Sequence, residues 1–196
     1  MSRYNRFLWI LVAILGAVMI YQFLMMNRSK PPYKQTYYSS TYVFSNNSST
    51  VTIHTIARFL FNKPEELTKA MNRFKSLNNK EKLKAYNNIF AKLSKSLKRP
   101  LKALSYQSTM TAESATKVQI EENGVVSGLI NSSGDRVTIS MGKAEMKLDE
   151  NSKVTFILPK GSKLISAFPT PTSVNGNKLI WDGPMKLEFP EVVYKK

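Results

Sequence analysis

The chain has 196 residues, no cysteine, a single histidine and a formal net charge of +16. Disulfides, thiolate metal sites and cysteine nucleophiles are therefore excluded, and one histidine cannot build a multi-histidine metal centre. With 42% hydrophobic residues the composition is that of a folded protein, and the length suits one modest domain plus a terminal extension.

Residues 1–6 form a short basic tail carrying Arg3 and Arg6. Residues 7–26, FLWILVAILGAVMIYQFLMM, hold no charge, and Gln22 is their one strongly polar side chain. As a helix this run reaches roughly 30 Å, the thickness of a bilayer's hydrocarbon core. It is longer than the apolar run of a cleaved signal, and no Ala-x-Ala follows it. Trp9 and Tyr21 sit near its ends, where amphipathic rings favour the headgroup region. The expectation is an uncleaved single-pass anchor in the lipid bilayer, with the short tail cytoplasmic and the C-terminal part outside. Arg3 and Arg6 are nearly balanced by Arg28, Lys30 and Lys34, so the flanking charge does little to fix the orientation.

Residues 27–36 read as a polar linker stiffened by Pro31-Pro32, and residues 37–196 as the outer domain. Tyr37 to Ser45 is rich in strand formers, and Asn46 to Ser49 is a turn cluster. Val51 to Phe61 alternates, with Val51, Ile53, Thr55, Ala57, Phe59 and Phe61 on one face. Two such runs around a short polar turn predict a β-hairpin. The period then changes. Asn62 is a cap candidate, Pro64 suits a first helical turn, and Glu65 and Glu66 suit the positive end of the helix dipole. Leu67, Ala70, Met71 and Phe74 follow at helical spacing. Asn78-Asn79 caps a second helix with a Leu83, Tyr86, Phe90, Leu93, Leu97 stripe, ended by Pro100. The spacing predicts a helical hairpin over about 64–99, packed on a sheet.

From Leu104 onward the signals are β. A tight turn is expected at Glu122-Asn123-Gly124, another at Asn131 to Gly134, and a third at Asp149 to Ser152. Short alternating runs follow through Val154 to Leu158, Leu164 to Phe168, Lys178 to Trp181, Met185 to Phe189 and Val192 to Tyr194. The fold class expected is α+β: a transmembrane helix, a β-hairpin, a helical hairpin, then an antiparallel meander or sandwich.

No constellation announces chemistry. His54 lies in a strand. Glu121-Glu122 and Asp149-Glu150 are expected at turns and solvated, and neighbours on a strand point to opposite faces, so they do not converge. Ser114-Ala115-Thr116-Lys117 matches the S-x-x-K nucleophile pattern, yet its companion motifs are out of order and the chain is short for such a fold. No catalytic residue, cofactor or metal site is expected, and the chain reads as a non-enzyme. The charge is concentrated: residues 63–104 carry net +9, against +1 for residues 105–196. Within them Lys92, Lys95, Lys98 and Arg99 could touch anionic headgroups or a polyanion, or could form the solvated face of a packed helix. Nucleic acid is a poor fit, because no stacking or groove-reading motif accompanies the charge. Asn46, Asn47 and Asn131 stand in N-x-[ST] sequons and are candidate glycosylation acceptors; Asn27 has one too, but close to the bilayer.

The stretch LPKGSKLISAFPTPTSVNGNKLIWDGP, Leu158 to Pro184, followed by FPEVVY, resembles the ending of prokaryotic, largely archaeal, membrane-anchored proteins of unknown function. That resemblance implies an N-terminal span and a β-rich outer domain, and it implies no activity. The reading is therefore an interaction or structural module of the cell envelope with an unidentified protein partner. The competing readings are an envelope hydrolase whose site the spacing hides and a tethered binder of anionic polymer or lipid.

Overall fold

A computed structural model describes residues 32–45, 49–97, 99–142 and 144–196, without the side chains of Lys92, Ser96 and Leu97. The expected tail, the expected span and residues 27–31 of the expected linker lie outside them. Among the described residues no helix is long and apolar enough to cross a membrane.

Thirteen strands and two helices are described. They are β1 (Tyr33–Phe44), β2 (Thr50–Phe61), α1 (Pro64–Ser76), α2 (Asn79–Leu97), β3 (Lys102–Ala112), β4 (Lys117–Ser127), β5 (Ile130–Ser133), β6 (Arg136–Ile139), β7 (Glu145–Leu148), β8 (Ser152–Ile157), β9 (Lys163–Phe168), β10 (Ser173–Asn175), β11 (Lys178–Asp182), β12 (Met185–Glu188) and β13 (Glu191–Lys195). The α+β class stands, mostly β. A seven-stranded sheet in the order β10-β11-β8-β1-β2-β4-β3 is accompanied by a four-stranded sheet, β5-β6-β13-β9, and the pair β12-β7.

The β1–β2 hairpin forms as its alternation predicts. All six of Val51, Ile53, Thr55, Ala57, Phe59 and Phe61 are buried. β1 starts at Tyr33, so residues 33–36, assigned to the linker by their polarity, belong to the ladder. Tyr33 is the reason: its ring packs 5.3 Å from Phe59 and 5.4 Å from Phe61.

Three expectations need correction. The large sheet is not wholly antiparallel, because β1 runs parallel to β8, Tyr38 opposite Ser152 through Val43 opposite Ile157. The helices are better described as a return path than as a hairpin. β2 ends at Phe61 and β3 begins at Lys102, at the opposite end of the sheet, since Lys102 and Thr50 both sit opposite Ser127. α1 and α2 in succession carry the chain back, and α2 runs over β3. Its Asn87 donates from Nδ2 to the Ala103 carbonyl (3.0 Å) and accepts at Oδ1 from the Ala103 N–H (2.9 Å), while Ser94 brackets Leu101 in the same way. Thirdly, Glu122-Asn123-Gly124 makes no turn. β4 passes straight through it, paired on both sides, and the β3–β4 turn falls at residues 113–116. There Ser114 Oγ accepts from the Thr116 and Lys117 N–H groups at 3.3 and 3.1 Å, which gives the S-x-x-K match a turn-forming role.

The helix signals hold with one shift. Pro64 opens α1, but the N-cap is Lys63, without a side-chain bond, and not Asn62. Asn78 heads α2 through a reciprocal pair: its N–H donates to Glu81 Oε2 (2.9 Å) and its Oδ1 accepts from the Glu81 N–H (3.0 Å). One core joins all layers. Phe156 lies at the centre of its aromatic part, with Tyr42, Phe44, Trp181 and Phe189 at ring-centroid distances of 5.1 to 5.5 Å. Trp181 is wholly buried and donates from Nε1 to the Pro169 carbonyl at 2.9 Å.

Candidate functional site

The inner face of the large sheet should be apolar, and along most rows it is. One row is polar. Register places Ser40 opposite Thr55, Thr55 opposite Glu122, and Glu122 opposite Ser108, so four strands contribute one oxygen-bearing side chain each. Two residues away along the strands, Tyr38 and Tyr42 flank Ser40, Tyr106 flanks Ser108 and Gly124 follows Glu122. From α2, Tyr86 descends onto Gly124 and stacks on Tyr106 with ring centroids 4.3 Å apart. A Cβ on Gly124 would lie 2.7 Å from the Tyr86 hydroxyl oxygen. The glycine is there for close approach, not for a turn.

Glu122 is 4% exposed. It accepts a hydrogen bond from the Tyr106 hydroxyl at Oε1, and Ser40 and Thr55 bond each other at 3.1 Å. No ion pair to Glu122 occurs among the described residues. Burial pushes its carboxyl up to about 7, and the Tyr106 hydrogen bond opposes that only in part. Burial also raises the phenols of Tyr38, Tyr86 and Tyr106, helped by the nearby Glu122 charge, and takes Tyr42 up to about 12. All four therefore remain donors at neutral pH. The Tyr38 and Tyr42 hydroxyls reach no partner at good hydrogen-bond geometry among the described residues, although Ser40 lies close enough to offset part of the rise of both phenols. Chemically the cluster can hold or release one proton. Its carboxyl and four phenols are each 5% exposed or less, so it faces the core rather than a substrate.

Glu122, expected in solvent at a turn, is buried in the middle of β4 instead. The signal that could have found it was available: Val118, Ile120, Glu122, Gly124 and Val126 share one strand face if β4 is read without a break. Glu121 does point the other way, as adjacent strand residues must, and takes a bond from Gln119 Nε2 at 3.2 Å. Asp149 is solvated as expected, paired with Lys147 at 2.9 Å with both side chains more than half exposed.

The basic segment is divided. Lys95 is exposed in the last turn of α2. Lys98 and the side chain of Lys92 lie outside the described residues. Arg99 turns inward: Nε donates to the Gly128 carbonyl at 2.6 Å and Nη2 to the Ser140 carbonyl at 2.8 Å, and burial lowers its pKa. It ties the end of the helical return to the β4–β5 turn and the end of β6. Lys82 folds over the Phe74 ring at 3.8 Å. Asn131 is exposed, but in β5 rather than in a turn; Asn46 and Asn47 lie outside the described residues.

Among the described residues, much of the opposite face of the large sheet is exposed. Thr52 and Arg58 of β2, Asn123 of β4, and Gln107, Thr109 and Thr111 of β3 are exposed there, with His54 and Ile56 half-buried among them. His54 Nδ1 and Asn123 Oδ1 are 2.8 Å apart, and Arg58 reaches Gln119 Oε1 (2.8 Å), Glu113 (3.1 Å) and the face of Tyr37 (5.3 Å). Where β1 outruns β8, an open groove of about 650 Å³ is lined by Lys34 to Tyr37, Lys147, residues 149–152 and Pro184.

Residues 33–195 match a family described as Domain of unknown function (DUF4897). The chain belongs to that family. No curated protein matches it. The family boundary coincides with the folded unit, from the first residue of β1 to the last of β13. The family description names no function.

Proposed function

We propose that this DUF4897 chain is a single-pass envelope protein of the prokaryotic, largely archaeal kind that its ending resembles. Residues 7–26 span the bilayer, and the folded unit from Tyr33 acts as a non-enzymatic binding module outside it. The observation that carries the binding role is the asymmetry of the large sheet. Its inner face is buried, whereas its outer face presents exposed Thr, Gln, Asn and Arg58 side chains with His54 and Ile56 half-buried among them. Such a face suits a broad, wet contact with another protein surface. Six residues separate Met26 from Tyr33, a reach of about 20 Å at most, which keeps the module near the membrane. The hydrolase reading gains nothing from the perturbed carboxyl, which points into the core.

Protease added to intact cells tests the arrangement. Loss of the 33–195 fragment only when protease is outside supports it. A domain that survives until the cells are opened contradicts it.

A further inference from the structure

β3 is the last strand of the seven-stranded sheet, and its hydrogen-bonding parity can be read from the turn. The Glu113 N–H donates to the Lys117 carbonyl at 2.9 Å, so the odd-numbered residues of this hairpin direct their backbone groups at β4. Tyr106, Ser108, Met110 and Ala112 therefore direct theirs outward. At the start of the strand α2 covers such groups: Asn87 satisfies both backbone groups of Ala103. Beyond it, no strand or loop backbone among the described residues pairs with the outer edge.

Proteins keep such edges single with lysine, proline or inward charge. Ser105 to Ala112, SYQSTMTA, has none of these. A neutral eight-residue edge lets two copies of a chain of net charge +16 meet along this strand without like charges opposed on it. We infer that β3 is a homodimerisation edge, pairing antiparallel with β3 of a second copy about a twofold axis through Thr109.

That register uses all four outward residues: Tyr106 faces Ala112 of the other copy and Ser108 faces Met110, making about eight backbone hydrogen bonds. Thr109 meets its own equivalent in a close, non-hydrogen-bonded pair, and Gln107 meets Thr111. The paired stretch stops short of Ala103, which Asn87 covers. The inference does not rest on the anchor. For two copies held in one bilayer the axis stands along the membrane normal, and the joined sheet lies along the surface.

The cysteine-free chain makes the test clean. Full-length Thr109→Cys in native membranes is treated with a mild oxidant, beside Thr52→Cys on the same sheet face and Thr111→Cys, which the register places away from its own equivalent. The expected result is a disulfide dimer at least tenfold more abundant for Thr109→Cys than for either control. Adding Ser108→Pro, which removes an outward N–H and no ladder bond to β4, should abolish it while the circular dichroism melt shows the domain folded. Equal cross-linking of Thr109→Cys and Thr52→Cys, or capture of a different polypeptide through Thr109→Cys, overturns the proposal.

Discussion

Glu122 contributes a pH-dependent part of the domain's stability. Its folded pKa is raised from 4.5 to about 7, so below 4.5 both folded and unfolded chains hold the proton and the carboxyl costs nothing. As pH climbs, the unfolded chain releases the proton freely while the folded chain retains it. Stability from this group is thus lost between about 4.5 and about 7, by roughly 3 kcal/mol at the shift quoted. Urea midpoints of the wild type should fall across that window. Those of Glu122→Gln, whose amide oxygen still accepts from Tyr106, should fall less and lie above wild type at pH 8. A Glu122→Gln protein less stable than wild type at pH 8 would mean that the carboxylate is stabilised by something other than the tyrosine.

The neighbouring glycine makes a second residue-scale case. Gly124→Ala places a methyl against Tyr86, and overpacking of this kind costs about 1–3 kcal/mol. In a Tyr86→Ala background the same change should cost little, so a double-mutant cycle in thermal unfolding will be strongly non-additive. Additive losses would sink the close-approach account of Gly124.

Among the elements, α2 has the most specific design. Its Asn78–Glu81 box closes the start, its aromatic stripe covers Glu122, and its Asn87 and Ser94 guard the start of β3. Asn78→Ala should cost about 1 kcal/mol, read as a lower melting temperature with unchanged native circular dichroism; an unchanged melt would show the box idle. Element types were legible where the pattern was local. The alternation of Val51 to Phe61 could only bury one face, and Pro64 with two acids could only open a helix. What escaped was non-local. Asn123-Gly124 carries a turn signature within three residues, but the decisive partner, Tyr86, arrives from 38 positions away in sequence. Neither does any local pattern announce that β8 lies parallel to β1. The polar row escaped for the same reason: Ser40, Thr55, Ser108 and Glu122 are unremarkable apart and meaningful only in register.

At the scale of the molecule, the large sheet, the two helices and the two small sheets share one core, with the buried Glu122 on the inner side of the large sheet and exposed Thr, Gln, Asn and Arg side chains on the outer side. The family match and β1 both begin at Tyr33, and the proposed tether precedes both in sequence. The charge map changes with the fold: Arg99, counted from sequence among surface cations, holds two backbone carbonyls together instead. That leaves Lys95 of the four as a described, outward-facing cation. A headgroup contact would therefore be a matter of lysines and screened by salt.

The central claim is that residues 7–26 hold a folded module in lipid, and alkaline carbonate extraction of membranes carrying the full chain tests it most directly. The account predicts full-length protein in the membrane pellet, released by detergent, with a chain lacking residues 7–26 in the supernatant. Full-length, uncut protein in the carbonate supernatant would contradict it.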